Sequence, residues 1–315
     1  MTLTTHAPPI RTLAEATADE GPVTGLSVPR YDRAALLPGV VHLGVGGFHR
    51  AHQALYFDEL AQRGETAWGV VGVGLHRSMM KQVLSAQDNL FTVVQRGADG
   101  EEARIVGVLI DYLFAPEQPS AVLAVLADPR VKLVTLTVTG TGYPVDPATG
   151  VFRPDHDEEI AEDLQSTGTP ASAFGYLVEA LRLRRAAGTA PFTVLSCDNI
   201  ADNGRTTAAA VCGLARERDP ELAGWIEQHV AFPSSMVDRI TPATSPSDRD
   251  EISARLHVDD GWPVITEPFS QWVIEDRFCN DRPPLETVGA QFVLNVRPYE
   301  PVSYTHLTLP TNREV

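Results

Sequence analysis

The sequence predicts an α/β fold: a doubly wound parallel sheet that opens on a glycine loop, followed by the start of a second domain. Three observations carry this. The 315 residues allow two domains of ordinary size. Short, near-continuous Val, Leu and Ile runs alternate with helical periodicity, as in a parallel sheet covered on both faces. The first of those runs leads straight into a glycine cluster and then a helix.

Taken in order, residues 1–30 are rich in Thr, Ala and Pro and read as a poorly ordered leader, without the cationic start and apolar core of a secretory signal. Residues 40–43 (Val-Val-His-Leu) begin the sheet. A helix is expected over 48–62, with apolar positions at Phe48, Ala51, Leu55 and Leu60, and a second strand over 68–73. Further strands are expected at 90–94, 104–113, 132–138 and 192–197, with helices near 119–127, 171–186 and 203–217. This first domain spans 31–225. From 232 onward Pro, Asp and Trp become frequent and strand periodicity fades, so 226–300 is expected to begin a second domain.

Composition narrows the function. With 43% hydrophobic and 21% charged residues the chain is globular, not disordered. Its formal charge of −16 opposes phosphate backbones and anionic lipid, so neither nucleic acid nor a membrane surface is an expected partner. No apolar run approaches the roughly 18 residues of a membrane span. Cys197, Cys212 and Cys279 are widely spaced with no CxxC pair, which suits a reducing cytoplasm better than a disulfide framework or a structural zinc site. Of the 25 cationic residues 23 are Arg, and the lysines are Lys81 and Lys132. Lysine is a common base in redox enzymes, and arginine does not lose its proton to replace it.

The glycine loop is Gly44-Val45-Gly46-Gly47-Phe48-His49. A GxG between a buried strand and a helix lets backbone approach a pyrophosphate at a helix N-terminus, although His49 stands where the dinucleotide fingerprint has its third glycine. The same turn could exist without a ligand. The second strand ends at Gly74-Leu75-His76-Arg77-Ser78, with no acidic residue to hold ribose hydroxyls. Arg77 is therefore either an acceptor for the 2′-phosphate of NADP or a solvated surface residue.

Three polar segments stand out at 196–204, 232–240 and 262–276. Asn199 follows a buried strand, where its amide could donate to a developing oxyanion or simply close an Asx turn. Asp238 beside Arg239 is either a loop ion pair or a carboxylate for substrate hydroxyls. His49 and His52, three residues apart without a carboxylate or cysteine cluster, read as packing or hydrogen-bonding groups, and no metal is expected. No tyrosine is followed four residues later by lysine, no cysteine and histidine set suits a catalytic zinc, and no GxSxG elbow occurs.

Together, the run 44–53 (Gly-Val-Gly-Gly-Phe-His-Arg-Ala-His-Gln), Ser196-Cys197-Asp198-Asn199, the Phe-Pro-to-Thr-Pro run at 232–242 and the Trp-Pro-Val to Trp-Val-Ile-Glu-Asp run at 262–276 resemble the mannitol dehydrogenase family of polyol-specific long-chain dehydrogenases. The resemblance covers roughly residues 30–300. It implies a Rossmann-like domain, then a mainly helical domain, and metal-independent hydride transfer between NAD, with NADP possible, and a secondary alcohol of a linear polyol or its ketose. Mannitol to fructose is the first expectation; fructuronate and arabinitol are the alternatives. By the same resemblance Gly44, Val45, Gly46, Gly47, Phe48 and His49 bind the cofactor, Asn199 helps hold the reacting oxygen, Val237 and Asp238 line the substrate pocket, and Glu300 helps conduct the proton.

Two departures accompany it. After Pro298-Tyr299-Glu300 the family continues into a helix bearing Lys, Asn and His, whereas residues 301–315 match nothing in it and read as a spurious tail on a truncated helical domain. Gly140 stands where the family has a glutamate, which puts part of the proton route in doubt. The chain as given is therefore either part of a polyol dehydrogenase or a cofactor-binding module without turnover. Truncation would also leave Trp262, Phe269, Trp272 and Val273 uncovered.

Overall fold

The computed structural model describes residues 10–18, 25–165 and 168–300. Five parallel strands form the central sheet: β1 (Pro38–Leu43), β2 (Gly69–Gly74), β3 (Leu109–Phe114), β4 (Leu133–Leu136) and β5 (Thr193–Ser196). Their spatial order is β3-β2-β1-β4-β5, the doubly wound order in which the chain reverses direction across the β1/β4 seam. Along β1, Val41 and Leu43 pack with α4 (Pro119–Ala127), α6 (Ala173–Ala187), α7 (Asn203–Arg218) and α8 (Pro220–His229). Val40 faces the other side, toward α2 (Gln53–Gln62) and α3 (Met79–Ala86). Apolar residues are thus needed at successive positions, which is why the strand reads as an unbroken run.

The helix expected over 48–62 is broken. α1 (Gly47–Ala51) ends at His52, whose backbone leaves helical geometry before α2 begins. The His52 Nε2 bonds to the Gln271 carbonyl at 2.9 Å, fixing the break against the later chain. The strand expected over 104–113 is two strands in different sheets, Gly100–Val106 and β3. Gly107 separates them, its N–H donating to Asp58 Oδ1 at 3.1 Å. α5 (Glu158–Gln165) completes the labelled helices.

The expectation of a poorly ordered leader is corrected for the described part of 1–30. Helix Leu13–Ala18 buries Leu13 and Ala16 against Ile252, Leu256 and Val258, and strand Arg11–Thr12 pairs with Val258–Asp259. A leader judged on average composition hides one apolar pair spaced for a helical face. The tail expectation for 301–315 lies outside the described residues.

Past residue 225 strands are abundant despite the faint periodicity. Helix Pro246–Leu256 is accompanied by Ser235–Asp238, Val264–Thr266, Gln271–Glu275 and Gln291–Val293. Val264–Thr266 pairs in parallel with Phe91–Gly97, so this segment is joined to the earlier chain by hydrogen bonds. Trp272 and Val273 are fully buried, because Gln271–Glu275 lies between two partner strands and the Trp272 ring meets Tyr56 and Phe57 edge-on at 5.3 and 6.0 Å. The expected uncovered patch is therefore confined to Phe269, which is exposed, and Trp262, which is half-buried.

Arg184 on α6 ties this helix to the turn that launches β4. Buried, it donates to the carbonyls of Leu126 and Val131 at 2.8 Å, of Ala190 at 2.6 Å and of Asp128, with Phe192 under its guanidinium. Replacing it, Arg184→Met, leaves these carbonyls without their donor and is expected to lower stability by about 3 kcal/mol. Urea unfolding with an unchanged midpoint would overturn that.

Candidate functional site

A cleft of about 1090 Å³ opens at the carboxyl ends of β1, β2 and β4, where ligands of doubly wound sheets sit. Its walls are segments 44–48, 74–80 and 241–244, with Thr137, Val138, Thr139, Thr141 and Gly142 from the loop after β4, plus Arg50, Tyr112, Trp262 and Val264. No Asp or Glu lines it among the described residues.

The glycines of the loop serve different ends. Gly44 has φ +92°, and a Cβ there would lie 2.3 Å from the Thr137 carbonyl oxygen, so backbone packing excludes a side chain. A Cβ on Gly46 would meet nothing closer than 3.9 Å, and one on Gly47 nothing closer than 3.8 Å. The protein does not need those two hydrogens; the open space beside them belongs to the cleft. α1 is only five residues long, so the amides of the loop, rather than a long helix dipole, provide the polar face.

Gly44, Val45, Gly46, Gly47, Phe48 and Arg77 all line the cleft, but His49 does not. It is 1% exposed and stacks on His42 of β1 with ring centroids 3.5 Å apart. Burial, with the nearby His42 and Arg50, holds its pKa well below the usual histidine value. His49 thus replaces the third glycine as a packing residue, which corrects its assignment as a cofactor contact. Arg50, not singled out from the sequence, takes its place in the wall. It donates to the Gly46 carbonyl at 3.4 Å and to that of Trp262, and burial lowers its pKa to about 10. A cation one turn beyond a glycine loop was the available signal.

The loop after β4 is held from below by Asp198. Its carboxylate accepts the N–H of Val138 at 3.0 Å, the N–H of Thr139 at 2.9 Å and the Tyr143 hydroxyl at 2.8 Å. Thr139, at φ +68°, occupies a left-handed conformation that a β-branched residue adopts only when its surroundings impose it. Burial raises the pKa of Asp198, and the three donors work against that rise. Tyr143 is pushed well above its usual value, chiefly by burial and then by the Asp198 charge, so it stays a hydroxyl donor.

Asn199 is exposed in the turn that follows β5, outside the cleft wall. Glu300 reaches the same turn, where Oε1 accepts the Asp202 N–H at 3.3 Å. Beside them lies a second cavity of about 500 Å³, lined in part by Gly140, Tyr143, Ile200 and Asp202. A Cβ on Gly140 would stand 3.0 Å from Ile200, so a larger residue there requires this turn to shift. Val237 and Asp238 are buried on strand Ser235–Asp238, Val237 opposite Trp272, and neither reaches the cleft. The Arg239 guanidinium bonds to the carbonyls of Ala51 at 2.7 Å and Glu267 at 2.8 and 3.1 Å, a structural use. Asn203 is a structural group whose partner lies far off in the chain: its amide bonds both ways to the Ser235 backbone, at 2.7 and 2.9 Å.

Two predictions follow from this geometry. Asp198→Ala removes the acceptor for Val138 and Thr139 and is expected to cost about 1–3 kcal/mol. It also raises amide exchange at those two residues relative to Leu136; unchanged exchange would refute the clamp. Burial lowers the pKa of His42 and His52 to about 3, so both stay neutral as pH falls through the ordinary value of 6.5. The folded state then refuses protons the unfolded chain accepts, and each ring costs stability as pH falls from about 6.5 toward 3. Their ring carbon shifts are expected to stay flat between about pH 7 and pH 5; a titration of either ring with a midpoint near 6.5 would contradict this.

Comparison with known proteins agrees with this architecture. The mannitol dehydrogenase Rossmann domain matches residues 38–287. Mannitol 2-dehydrogenase of Cereibacter sphaeroides is 50% identical over 275 residues, covering 86% of this chain and 57% of that protein. The Aspergillus terreus enzyme of the same name is 46% identical over 280 residues, 87% of this chain and 56% of that one. The chain thus spans little more than half the length of these curated relatives. Among solved structures, a Pseudomonas fluorescens mannitol 2-dehydrogenase ternary complex with NAD and D-mannitol superposes with a TM-score of 0.88 at 42% identity, over 92% of this chain and 59% of that one. A substrate-free D-sorbitol dehydrogenase gives 0.86 at 40% identity, over 92% of this chain and 60% of that one. With the family domain matching most of its length, the chain belongs to the mannitol dehydrogenase family.

Proposed function

We propose that the chain is the cofactor-binding part of an NAD-dependent oxidoreductase that moves a hydride between the nicotinamide and a secondary alcohol of a linear polyol, of the mannitol-to-fructose type. The observation that carries this is the cleft at the β1/β4 seam, whose loop leaves open space beside Gly46 and Gly47. The residues present fit a dinucleotide: the backbone amides of the loop suit a pyrophosphate, and the absence of a lining carboxylate among the described residues removes the main repulsion. Bound there, the nicotinamide would accept or give the hydride. The names of the relatives and the ligands of the Pseudomonas structure support mannitol as substrate.

Within this reading the chain's own groups divide the work. Asp198 sets the path of 137–142 along one wall. Asn199 and Glu300, gathered at the turn after β5, are the candidates to hold the reacting oxygen and pass its proton. Val237 and Asp238 sit at the foot of the strand that leads into lining segment 241–244, which supports a role in shaping the substrate end. Residues 226–300 are proposed as the opening of a second domain. The cytoplasm suits the three free thiols, and among the described residues no helix is long and apolar enough to cross a membrane.

A second reading, cofactor binding without turnover, is favoured by the lysines. Lys81 is engaged with Glu117 at 2.7 Å and Lys132 lies 3.9 Å from Asp281; neither lines the cleft. No lysine in this chain is placed to act as the base, and losing a general base costs about 10² to 10⁴ in rate.

Both readings are tested by titrating NADH and following energy transfer from tryptophan, with Trp262 in the cleft wall. Saturable binding is expected. Gly46→Ala should weaken it at least about tenfold while the unfolding midpoint hardly moves, because the added Cβ meets nothing closer than 3.9 Å and projects where the dinucleotide backbone would approach. Failure of the unaltered chain to bind any nicotinamide nucleotide would sink the proposal, and mannitol-dependent NAD reduction by this chain would sink the second reading.

A further inference from the structure

The dinucleotide reading leaves open what the adenosine end of the cleft recognises. In a doubly wound sheet the ribose of the adenosine lies at the carboxyl end of the second strand, held by a carboxylate that binds its free hydroxyls or by an arginine that binds a 2′-phosphate. Here that strand is β2, and its end, 74–80, forms one wall of the cleft.

No carboxylate lines the cleft among the described residues, although the chain as a whole carries a charge of −16. The nearby cations are not equivalent. Arg50 is buried and committed to the carbonyls of Gly46 and Trp262. His76 turns its Nδ1 toward Glu159 at 3.3 Å, and Lys81 is paired with Glu117 at 2.7 Å. Arg77 is exposed in the cleft wall and makes no ion pair or hydrogen bond with any described residue. Beside it, the Ser78 hydroxyl makes no capping bond to α3 and is left to serve as a donor. An unpaired guanidinium next to a hydroxyl, with no carboxylate facing them, matches a phosphate dianion and offers little to a pair of ribose hydroxyls.

Resting on the dinucleotide reading, we infer that the cleft accepts a 2′-phosphorylated nicotinamide dinucleotide, NADP(H), as well as NAD(H), and that Arg77 is the residue that admits the phosphate. The arginine's five donors form two parallel bonds to a phosphate, whereas an acidic residue at the same place would repel it. Arg77 is a specificity residue here, away from the reacting atoms, so its loss changes which nucleotide binds without disturbing the loop that binds both.

The test uses the 315-residue chain with NADPH and NADH in parallel fluorescence titrations, and competition by 2′,5′-ADP and 5′-AMP to isolate the adenosine end. NADPH is expected to bind at least as tightly as NADH, and 2′,5′-ADP to compete better than 5′-AMP. Arg77→Ala should weaken NADPH at least about tenfold and leave NADH within about twofold, with Arg77→Lys recovering part of the loss. Because Arg77 is exposed and unpaired, both variants should melt with the parent. NADPH binding more than about tenfold weaker than NADH, or an equal loss of both in Arg77→Ala, would overturn the inference while leaving the dinucleotide site intact. Binding of neither nucleotide by the unaltered chain would remove the site and the inference together.

Discussion

Everything at the cleft depends on the seam between β1 and β4, where one buried imidazole adds side-chain bonds to the backbone pairing of the two strands. The Nδ1 of His42 lies 2.8 Å from the Thr135 hydroxyl and its Nε2 lies 3.0 Å from the Thr137 hydroxyl. Thr137 spends its single hydrogen on the Gly44 carbonyl at 2.8 Å, so Nε2 must carry the ring hydrogen and Nδ1 must accept from Thr135. Only the neutral ring satisfies this arrangement, and complete burial keeps it neutral by lowering its pKa to about 3. The chain of bonds from Thr135 through His42 and Thr137 to Gly44 sets where the glycine loop leaves the sheet. His49 then stacks on His42, which places the first turn of α1 and leaves Gly46 and Gly47 toward the open space.

The parallel sheet was legible because both of its faces are covered, which places apolar side chains on adjacent positions, at Val40, Val41 and Leu43 and again at Val70, Val71 and Val73. Regions governed by single contacts were less so. The break at His52 is made by a carbonyl 219 residues away, and the split at Gly107 by a carboxylate on α2 49 residues away. Neither leaves a local periodic trace. The strands after 225 are three to five residues long apart from the two-residue Val258–Asp259, too short for alternation to stand out, and they are held mainly by partners such as Phe91–Gly97 that lie far off in the chain.

The site divides the same way. Gly44 to Phe48 and Arg77 announced themselves because glycine and charge at the ends of the first two strands have direct physical meaning there. Arg50 was hidden because a cation in a helix usually reads as a solvated residue, and only the fold shows it buried in the cleft wall. His49 misled for the opposite reason: it occupies a fingerprint position but turns toward the sheet. Asp198 could be quoted as part of a motif, yet its work, holding Val138 and Thr139, depends on β4 and β5 being neighbours, which no local reading of 196–199 contains.

Three of the arginines have a structural use apart from any question of a catalytic lysine. Arg50, Arg184 and Arg239 are all buried, and all spend their donors on backbone carbonyls from separate parts of the chain. Arg184 alone serves four carbonyls, more than the three hydrogens of an ammonium can supply, and its planar fork holds them in fixed directions. Burial lowers the pKa of each of the three to about 10, which leaves them charged at neutral pH. A lysine begins about two units lower and meets the same burial with a single, strongly hydrated point charge, so it would be driven toward the neutral amine and lose the charge-assisted bonds. Arginine is therefore the residue that can stitch carbonyls across this interior: Arg50 ties the glycine loop to Trp262 in the cleft wall, and Arg239 ties the end of α1 at Ala51 to Glu267.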